Sequence, residues 1–351
     1  MSELFTYSNP RVIHWGPGSV SVLARELARL EAHRIAVVTT RSLVAEERLL
    51  SVVQRAFGDA RVAVTVVVGQ HAPMVQVDEG IKRAGEAQVD GVVSLGGGSP
   101  IDAAKMLAVR LADRAGHAAR GLPHIAVPTT LSAAELAAGA GYTDDAGNKS
   151  GMRDPRLLPD AVIYDAELTL ATPMTLWLST GIRALDHAVE GFLADGRHPF
   201  SDVMALEAIG RLFDSLPRAM AAPADVNVRT ENQLAAWFSF TLPAQSAGGL
   251  SHVMGKQIGA RYGIPHGVTS CLLLPHVMRY LERQAPDRMS LLVGATGPHP
   301  ATRVQGLIES LGLPQHIAAY GIGEPELRRA AGELAGKFPA EDLLEIYLAA
   351  L

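Results

Sequence analysis

Histidine, arginine and lysine side chains recur at helical spacing in the second half of the chain. Arg183 and His187 are four residues apart, as are His252 and Lys256, so each pair shares one helix face. His266 follows in a loop between a proline and a glycine. A single helix histidine usually has a structural role, because a buried polar side chain needs only a partner. Three histidines with a lysine beside one of them instead indicate a site that transfers protons or binds a metal.

A second candidate site lies in the first half, where a glycine-rich turn follows an apolar run. Gly96-Gly97-Gly98-Ser99-Pro100 comes directly after the expected strand 92–95 and precedes a helix that contains Asp102. Ser99 is expected to cap this helix, with Pro100 in its first turn. The free N–H groups of a helix N-terminus suit a pyrophosphate. An ordinary strand-to-helix turn explains the same residues, and the spacing differs from the G-x-G-x-x-G fingerprint.

Two hydroxyls and a lysine follow the next expected strand, 124–127. Thr129 and Thr130 come at the carboxyl end of this strand, where open α/β sheets bind ligands. Their hydroxyls could bond a ribose or a phosphate, whereas Ser132 could simply cap a helix. Lys149 lies in an expected hairpin and could reach back to a cofactor, although most exposed turn lysines have no such role.

The elements that must position these residues differ between the two halves. From residue 11 to about 164, short apolar runs alternate with amphipathic stretches, which predicts a parallel sheet covered by helices on both faces. The expected strands are 34–38, 62–68, 91–95 and 124–127, and the expected helices are 43–57, 75–86 and 99–110.

From about Leu168 onward the strand pattern disappears and Ala/Leu-rich periodic stretches predict helices alone. We therefore expect an α/β nucleotide-binding domain with a Rossmann-like parallel sheet over residues 1–162. An all-α domain over residues 163–351 would carry the histidines. The boundary is expected to be uncertain by several residues.

Composition excludes several classes of protein. The 351 residues are 48% hydrophobic with a net charge of −5, which argues against a disordered chain and against nucleic acid as a partner. A single cysteine excludes an internal disulfide and a cysteine-based zinc site. The first residues lack the features of a signal peptide, and apolar runs are too short to span a membrane. A cytoplasmic protein without a membrane partner is expected.

Four motifs occur in a characteristic order: Gly96-Gly97-Gly98-Ser99, Pro128-Thr129-Thr130, the segment 181–190, and His252 followed by Pro265-His266-Gly267. Together they resemble the iron-containing (group III) alcohol dehydrogenase family. The segments 11–18 and 158–165 resemble its maleylacetate reductase branch most closely. The resemblance covers nearly the whole chain. It implies a dehydroquinate synthase-like fold, an NAD(P)H-dependent oxidoreductase and a homodimer.

The resemblance also assigns roles to particular residues. The cofactor pyrophosphate would lie at Gly97, Gly98 and Ser99, and the rest of the cofactor would contact the following side chains: Asp102, Thr129, Thr130 and Lys149. In metal-dependent members, one aspartate and three histidines bind Fe²⁺ or Zn²⁺. The three histidines match His187, His252 and His266.

This chain departs from that pattern at two positions. Arg183 stands where the aspartate ligand would be, and a guanidinium beside three histidines opposes a divalent cation. Lys256 stands where relatives have a histidine, and if it is desolvated near Arg183 it could donate a proton. We therefore expect reduction of a carbonyl or of a carbonyl-conjugated C=C, with the proton supplied by His252, Lys256 or His266. Arg183 would orient a substrate carboxylate or stabilise developing negative charge.

Three alternatives stay open at this point. A three-histidine Fe or Zn site is chemically possible, which would make the chain a metal-dependent alcohol dehydrogenase. Lys256 could act as the Schiff-base nucleophile of a lyase, or it could simply extend into solvent. The chain could also be a relative that binds nucleotide without catalysis.

Overall fold

The structure is a computed structural model that describes residues 10, 12–116, 119–194, 198–240, 249–336 and 338–351. Arg11, which belongs to one of the motifs above, lies outside the described residues. The chain divides into two compact units. The α/β unit extends to Pro173 and includes Ala224–Gln233, and the helical unit comprises Met174–Pro223 and Leu234–Leu351.

Within the described residues of the α/β unit, six strands form one parallel sheet in the order β1-β8-β5-β4-β2-β3. Its strands are β1 Val12–Trp15, β2 Arg34–Thr39, β3 Arg61–Val67, β4 Gly91–Gly96, β5 His124–Pro128 and β8 Ala161–Tyr164. A separate antiparallel hairpin consists of β6 Gly139–Thr143 and β7 Lys149–Arg153. The expected parallel sheet and hairpin are confirmed.

Helices cover both faces of this sheet. They are α1 Leu23–Arg29, α2 Arg41–Val44, α3 Glu47–Ala56, α4 Met74–Glu86 and α5 Gly98–Arg114. Successive side chains of β2 point to opposite faces of the sheet. Ile35 therefore packs in the apolar cluster on one face and Ala36 in the cluster on the other. The helix expected over 43–57 is two shorter helices, α2 and α3.

The helical unit contains the long periodic segments expected from the sequence. Its helices, with α8 beginning in the α/β unit, are α6 Met174–Leu193, α7 Pro199–Ala221, α8 Val226–Ser239, α9 Leu250–Tyr262, α10 His266–Gln284, α11 Pro286–Ser290, α12 Val293–Thr296, α13 Pro300–Ser310, α14 Glu324–Leu334 and α15 Ala340–Ala349. Helix α6 is buried along Trp177–Phe192, so it forms the centre of this unit. Among the described residues, no helix has the length and apolar character that crossing a membrane requires.

The boundary between the units differs from the expected one. A cut after residue 162 would fall inside β8, whose residues pair with β1 and β5. The α/β unit continues to Pro173, and it also includes the first turns of α8. The sequence pattern missed β8 because it is only four residues long, and its place between β1 and β5 depends on strand pairing that local periodicity does not show.

Candidate active site

The glycine turn opens the N-terminus of α5. Gly97 is the N-cap, and in the described chain no side chain caps this helix. A Cβ atom on Gly97 would lie 2.9 Å from Thr130 Cγ2, so the close approach of these segments requires glycine. Ser99 is not the cap that the sequence suggested, since its Oγ accepts a hydrogen bond from the His71 N–H at 2.8 Å. The first-turn N–H groups of α5 are therefore available to an anionic ligand.

Both predicted threonines lie beside this turn and are buried. The Thr129 N–H donates to the Gly96 carbonyl at 2.9 Å, and Thr130 Oγ1 donates to Ser132 Oγ at 3.3 Å. Ser132 does not cap a helix, because the helical turn that follows has Ala133 as its N-cap. The structure thus brings Thr129 and Thr130 together with the glycine turn.

Asp102 and Lys149 lie on the elements next to the turn. Asp102 is on α5, its side chain is 21% exposed, and its Oδ2 accepts from the Gly141 N–H at 3.0 Å. Burial raises the pKa of Asp102, while the neighbouring Lys105 opposes this shift. Lys149 is half-buried on β7, and its positive charge adds to burial in lowering the pKa of His71 to about 4. Lys149 is therefore near the residue that contacts Ser99.

His71 is a residue that the sequence reasoning missed. It follows β3 at the carboxyl end of the sheet, and its backbone N–H holds Ser99. His71 and Ala72 have φ angles of 64° and 46°, a left-handed conformation that costs a non-glycine residue about 1–3 kcal/mol. Such strain occurs most often near ligand sites. The available signal was its place directly after a strand of the parallel sheet.

The helical unit has a buried ionic group, the Arg183 cluster, which consists of Arg183, Asp186, Ser251 and Ser270. Arg183 Nη1 donates to Asp186 Oδ2 and to Ser270 Oγ, both at 3.0 Å. The Ser251 and Ser270 hydroxyls donate to the same carboxylate oxygen at 3.0 Å and 2.6 Å. Helices α6, α9 and α10 are joined by this cluster. Burial raises the pKa of Asp186, and the guanidinium opposes the shift.

Arg183 differs from its expected role. It was expected to orient a substrate carboxylate, but it is only 1% exposed and is committed to Asp186 and Ser270. Its Nε and Nη2 atoms have no hydrogen-bond partner among the described residues. A guanidinium stays charged when buried, so Arg183 places a permanent positive charge inside this unit.

The three predicted histidines lie side by side. The ring centroids of His252 and His266 are 5.2 Å apart with the rings edge to face, and those of His187 and His252 are 6.3 Å apart. His187 also packs edge to face on Phe240 at 5.1 Å. Burial, and then the charge of Arg183, hold the pKa of His187 well below its usual value, so this ring is neutral at neutral pH. His252 and His266 are half-buried, so they remain accessible for proton transfer.

Glu190 is a second residue that the sequence reasoning did not assign. Its carboxylate accepts backbone N–H groups at the start of α9, including that of His252 at 3.2 Å. The helix begins after Gly249, which has no side chain to cap it, so Glu190 acts as an external cap. A Cβ on Gly249 would lie 2.2 Å from Glu190 Cδ, which shows how closely the two pack. Glu190 therefore fixes the turn that carries His252.

Lys256 lies one turn after His252 on α9, as its spacing predicts, but it is exposed to solvent. The desolvation on which its expected role as a proton donor depended is therefore not found. An exposed ammonium beside a half-buried histidine can still attract an anionic substrate.

The donor set does not suit a divalent metal ion. Among the described residues, no group of three or more His, Cys, Asp or Glu side chains is arranged to hold one. Asp186, the carboxylate nearest to His187 in sequence, is occupied by Arg183 and two serines. The neighbouring guanidinium would also repel a cation. We therefore derive no catalytic step through a metal at His187, His252 and His266.

Comparison with known proteins places both units in one family. Residues 10–166 match the family model of iron-containing alcohol dehydrogenase, and residues 177–337 match the model of the C-terminal part of Fe-containing alcohol dehydrogenases. The chain is 31% identical to a maleylacetate reductase of a Rhizobium species over 336 residues, covering 95% of this chain and 92% of that protein. It is 32% identical to the maleylacetate reductase of Pseudomonas aeruginosa over 336 residues, covering 95% and 91% of the two chains.

Solved structures agree with these matches. The crystal structure of maleylacetate reductase from Agrobacterium tumefaciens superposes with a TM-score of 0.88 at 28% identity, covering 100% of this chain and 99% of that one. The two-domain architecture expected from the motifs is confirmed. This chain therefore belongs to the maleylacetate reductase branch of the iron-containing alcohol dehydrogenase family and is an NAD(P)H-dependent oxidoreductase.

Proposed function

We propose that this chain reduces maleylacetate, or a closely similar small carboxylate-bearing compound, with NAD(P)H. The relatives named as maleylacetate reductases match over more than nine-tenths of their length. The observation that carries the proposal is the His252–His266 pair, 5.2 Å apart and half-buried, beside a neutral His187 and a buried guanidinium. This arrangement supports proton transfer to an anionic substrate without a metal ion.

The α/β unit supplies the cofactor site in this proposal. The open N-terminus of α5 suits the pyrophosphate, at Gly97, Gly98 and Ser99. Thr129, Thr130, Asp102 and Lys149 are the groups proposed to hold the ribose and nicotinamide portions, as the nearby hydroxyls, carboxylate and ammonium suit those contacts. When bound, the nicotinamide supplies a hydride.

Reduction of a carbonyl or of a conjugated C=C leaves negative charge on the substrate, and that charge must be quenched by a proton. His252 and His266 are the proposed donors, because both are half-buried and in edge-to-face contact. Glu190 fixes the backbone of His252, while burial and then the charge of Arg183 lower the pKa of His187, so this ring does not compete as a charged donor. Lys256, exposed one turn from His252, is proposed to attract the substrate carboxylate. In this proposal Arg183 does not contact the substrate, and its buried positive charge contributes to the electrostatic potential at the histidines.

The residues at the carboxyl end of β2 bear on the choice between NADH and NADPH. Val37-Val38-Thr39-Thr40-Arg41 has no acidic side chain that would bind the ribose hydroxyls and repel a 2′-phosphate. Arg41, which begins α2, is exposed and can accommodate that phosphate. The proposal therefore includes use of NADPH.

The direct test measures oxidation of NADPH and NADH with maleylacetate and with a panel of aldehydes. We expect turnover with maleylacetate, loss of most of that turnover in His252→Gln or His266→Gln, and little with simple aldehydes. Absence of turnover with any of these substrates would refute the proposal.

A metal-dependent alcohol dehydrogenase is the main competing function, since the three imidazoles lie together. Elemental analysis distinguishes this function from the proposed reductase. Stoichiometric iron or zinc, together with aldehyde turnover that a chelator abolishes, would favour the metal-dependent alcohol dehydrogenase. Borohydride trapping of a substrate adduct on Lys256 would instead indicate a lyase. Cofactor binding without any turnover would indicate a non-catalytic relative.

Assembly and location complete the proposal. The family resemblance supports a homodimer, which analytical ultracentrifugation of the purified chain can check. A cytoplasmic site of action is proposed on the same basis, and fractionation of the source cells tests it.

A further inference from the structure

Lys105 is wholly buried on α5, and the proposed reaction assigns it no task. Its Nζ donates to the carbonyls of Ala134, Ala137 and Gly139 at 2.5, 2.9 and 2.8 Å. A lysine ammonium has three N–H donors, so these three carbonyls occupy all of them. All three acceptors lie on the stretch that leads into β6, here called the 133–141 segment.

Further ties hold the same segment. Asp102, one turn before Lys105 on α5, accepts from the Gly141 N–H at 3.0 Å and lies 3.6 Å from Lys105 Nζ. Glu135 is 1% exposed and accepts from the Tyr164 hydroxyl at 2.8 Å. The segment begins at Ala133, whose φ of 57° is unfavourable for a non-glycine residue. Surrounding contacts must therefore hold it in this conformation.

The opposite side of the segment faces the glycine turn. A Cβ atom on Gly98 would lie 3.7 Å from Ala134 Cβ and 3.5 Å from Ser132 Oγ. Ala134 therefore links the two features: its carbonyl accepts a hydrogen bond from Lys105, and its methyl group lies beside Gly98, the first residue of α5. A shift of Ala134 toward Gly98 would bring the 133–141 segment closer to the N-terminus of α5.

We propose that Lys105 is a positioning residue for the dinucleotide site. Its ammonium binds three carbonyls of the 133–141 segment, as a bound cation could. These hydrogen bonds keep the segment away from the N-terminus of α5. The inference rests on the proposed function, because it takes that N-terminus as the pyrophosphate site. It adds a residue that never touches the cofactor but determines how well the cofactor fits.

Chemical rescue of Lys105→Ala tests this directly. The substitution removes the ammonium and three methylene groups, and leaves three buried carbonyls without a donor. We expect the affinity for NADPH, measured by the fluorescence of the cofactor, to fall about tenfold. Amide hydrogen exchange in the 133–141 segment should become faster. Added n-propylammonium, which replaces the missing atoms, should restore both, whereas 1-propanol of the same length should not.

Two matched variants complete the design. Lys105→Met fills the same space without any donor, so it should show the same losses but leave no room for rescue by n-propylammonium. Lys82→Ala removes an exposed lysine from α4 and should leave exchange in the segment and NADPH affinity unchanged.

The inference is overturned if folded Lys105→Ala keeps wild-type exchange and affinity, or if 1-propanol restores them as well as n-propylammonium does. Should Lys105→Ala fail to fold, Lys105→Met decides: wild-type exchange in that variant overturns the inference, and faster exchange supports it. A wild-type chain that binds neither NADPH nor NADH would refute the proposed function, and with it the link between Lys105 and the cofactor. Exchange would then still test separately whether Lys105 holds the 133–141 segment.

Discussion

Lys105 in the α/β unit and Arg183 in the helical unit are both buried cations, and their hydrogen bonds are satisfied in opposite ways. Lys105 has a carbonyl for each of its three N–H donors. Arg183 uses Nη1 for Asp186 and Ser270, while its Nε and Nη2 have no hydrogen-bond partner among the described residues. Asp186 Oδ1 and His187 Nδ1 lack partners there as well. Because unpaired buried polar groups cost stability, they persist mainly where function needs them.

The comparison separates two uses of a buried charge. In the functions proposed above, the Lys105 contacts, complete and directed at backbone, would maintain the shape of a binding site. The Arg183 cluster, incomplete and adjacent to three histidines, would maintain an electrostatic environment for proton transfer.

Removal of a proton donor beside the Arg183 cluster should have the largest effect. In His252→Ala or His266→Ala we expect kcat to fall roughly a hundredfold to ten-thousandfold, the usual contribution of a positioned general acid. Steady-state assays with maleylacetate measure this, and thermal unfolding confirms that the variants fold. His33→Ala, which changes an exposed histidine of the α/β unit, is the control and should retain full activity. Full activity in both site variants would assign the chemistry elsewhere.

Breaking the buried ion pair should destabilise the helical unit strongly. Arg183→Met leaves the Asp186 carboxylate buried without its cation, so we expect a loss of about 3–5 kcal/mol in the free energy of unfolding. Arg183→Met with Asp186→Leu removes both charges and should recover much of that loss. Urea denaturation measures all three proteins. Equal losses in the single and double variants would show that the pair contributes little electrostatic energy.

The charge of Lys105 should contribute to the pH dependence of stability. His124 is fully buried, and burial followed by the Lys105 charge lowers its pKa from 6.5 to about 3. The unfolded chain therefore binds a proton at pH values where the folded chain does not, so stability is full above pH 6.5 and falls as the pH drops toward 3. Between pH 6.5 and 5 this group should account for about 2 kcal/mol.

His124→Leu isolates that contribution. Urea denaturation at both pH values should show a smaller decrease for the variant than for the wild type. His71 and His276 also have lowered pKa values, so some decrease will persist in both proteins. An identical decrease in the two proteins would mean that His124 is protonated in the folded chain.

The smallest expected effect concerns the glycine turn that lies beside the 133–141 segment. Gly97→Ala places a methyl group 2.9 Å from Thr130 Cγ2, so the turn must shift and NADPH should bind about tenfold more weakly. Gly210→Ala is the matched control, because nothing lies within 4 Å of its added Cβ in α7. It should leave affinity unchanged and stabilise the helix by up to about 1 kcal/mol. Unchanged affinity in Gly97→Ala would remove this turn from the cofactor site.

Local patterns predicted much of the fold. The apolar strand β4, the glycines after it and Pro100 together predicted a helix over 99–110, and α5 covers Gly98–Arg114. The apolar periodicity likewise predicted helices over 177–193 and 268–281. Helix α6 begins three residues earlier, at Met174, and helix α10 extends beyond both expected ends. These elements depend on neighbours in sequence, which is why their residues were sufficient to identify them.

Errors arose where distant contacts override local preference. Ser99 is a good cap by propensity, but it binds the His71 N–H, 28 residues away in sequence, and leaves the cap position to Gly97. Nothing local in the sequence distinguishes Lys105 from other helix lysines, because the carbonyls that bind it come from the 133–141 segment. The helix 43–57 was expected as one piece, since its apolar spacing continues through the break at Ala45 and Glu46.

By itself the sequence determined the class of fold, because alternating apolar runs and periodic segments identify the elements. It also determined the order of the motifs and, through helical spacing, which side chains share a helix face. Only the tertiary structure decided what those side chains do. Arg183 donates a hydrogen bond to Ser270, 87 residues away, and is a buried charge. Lys256, on the same helix as His252, stays in water. Burial and hydrogen-bond partners come from segments far apart in the chain, and these set the charge and the chemistry of each group.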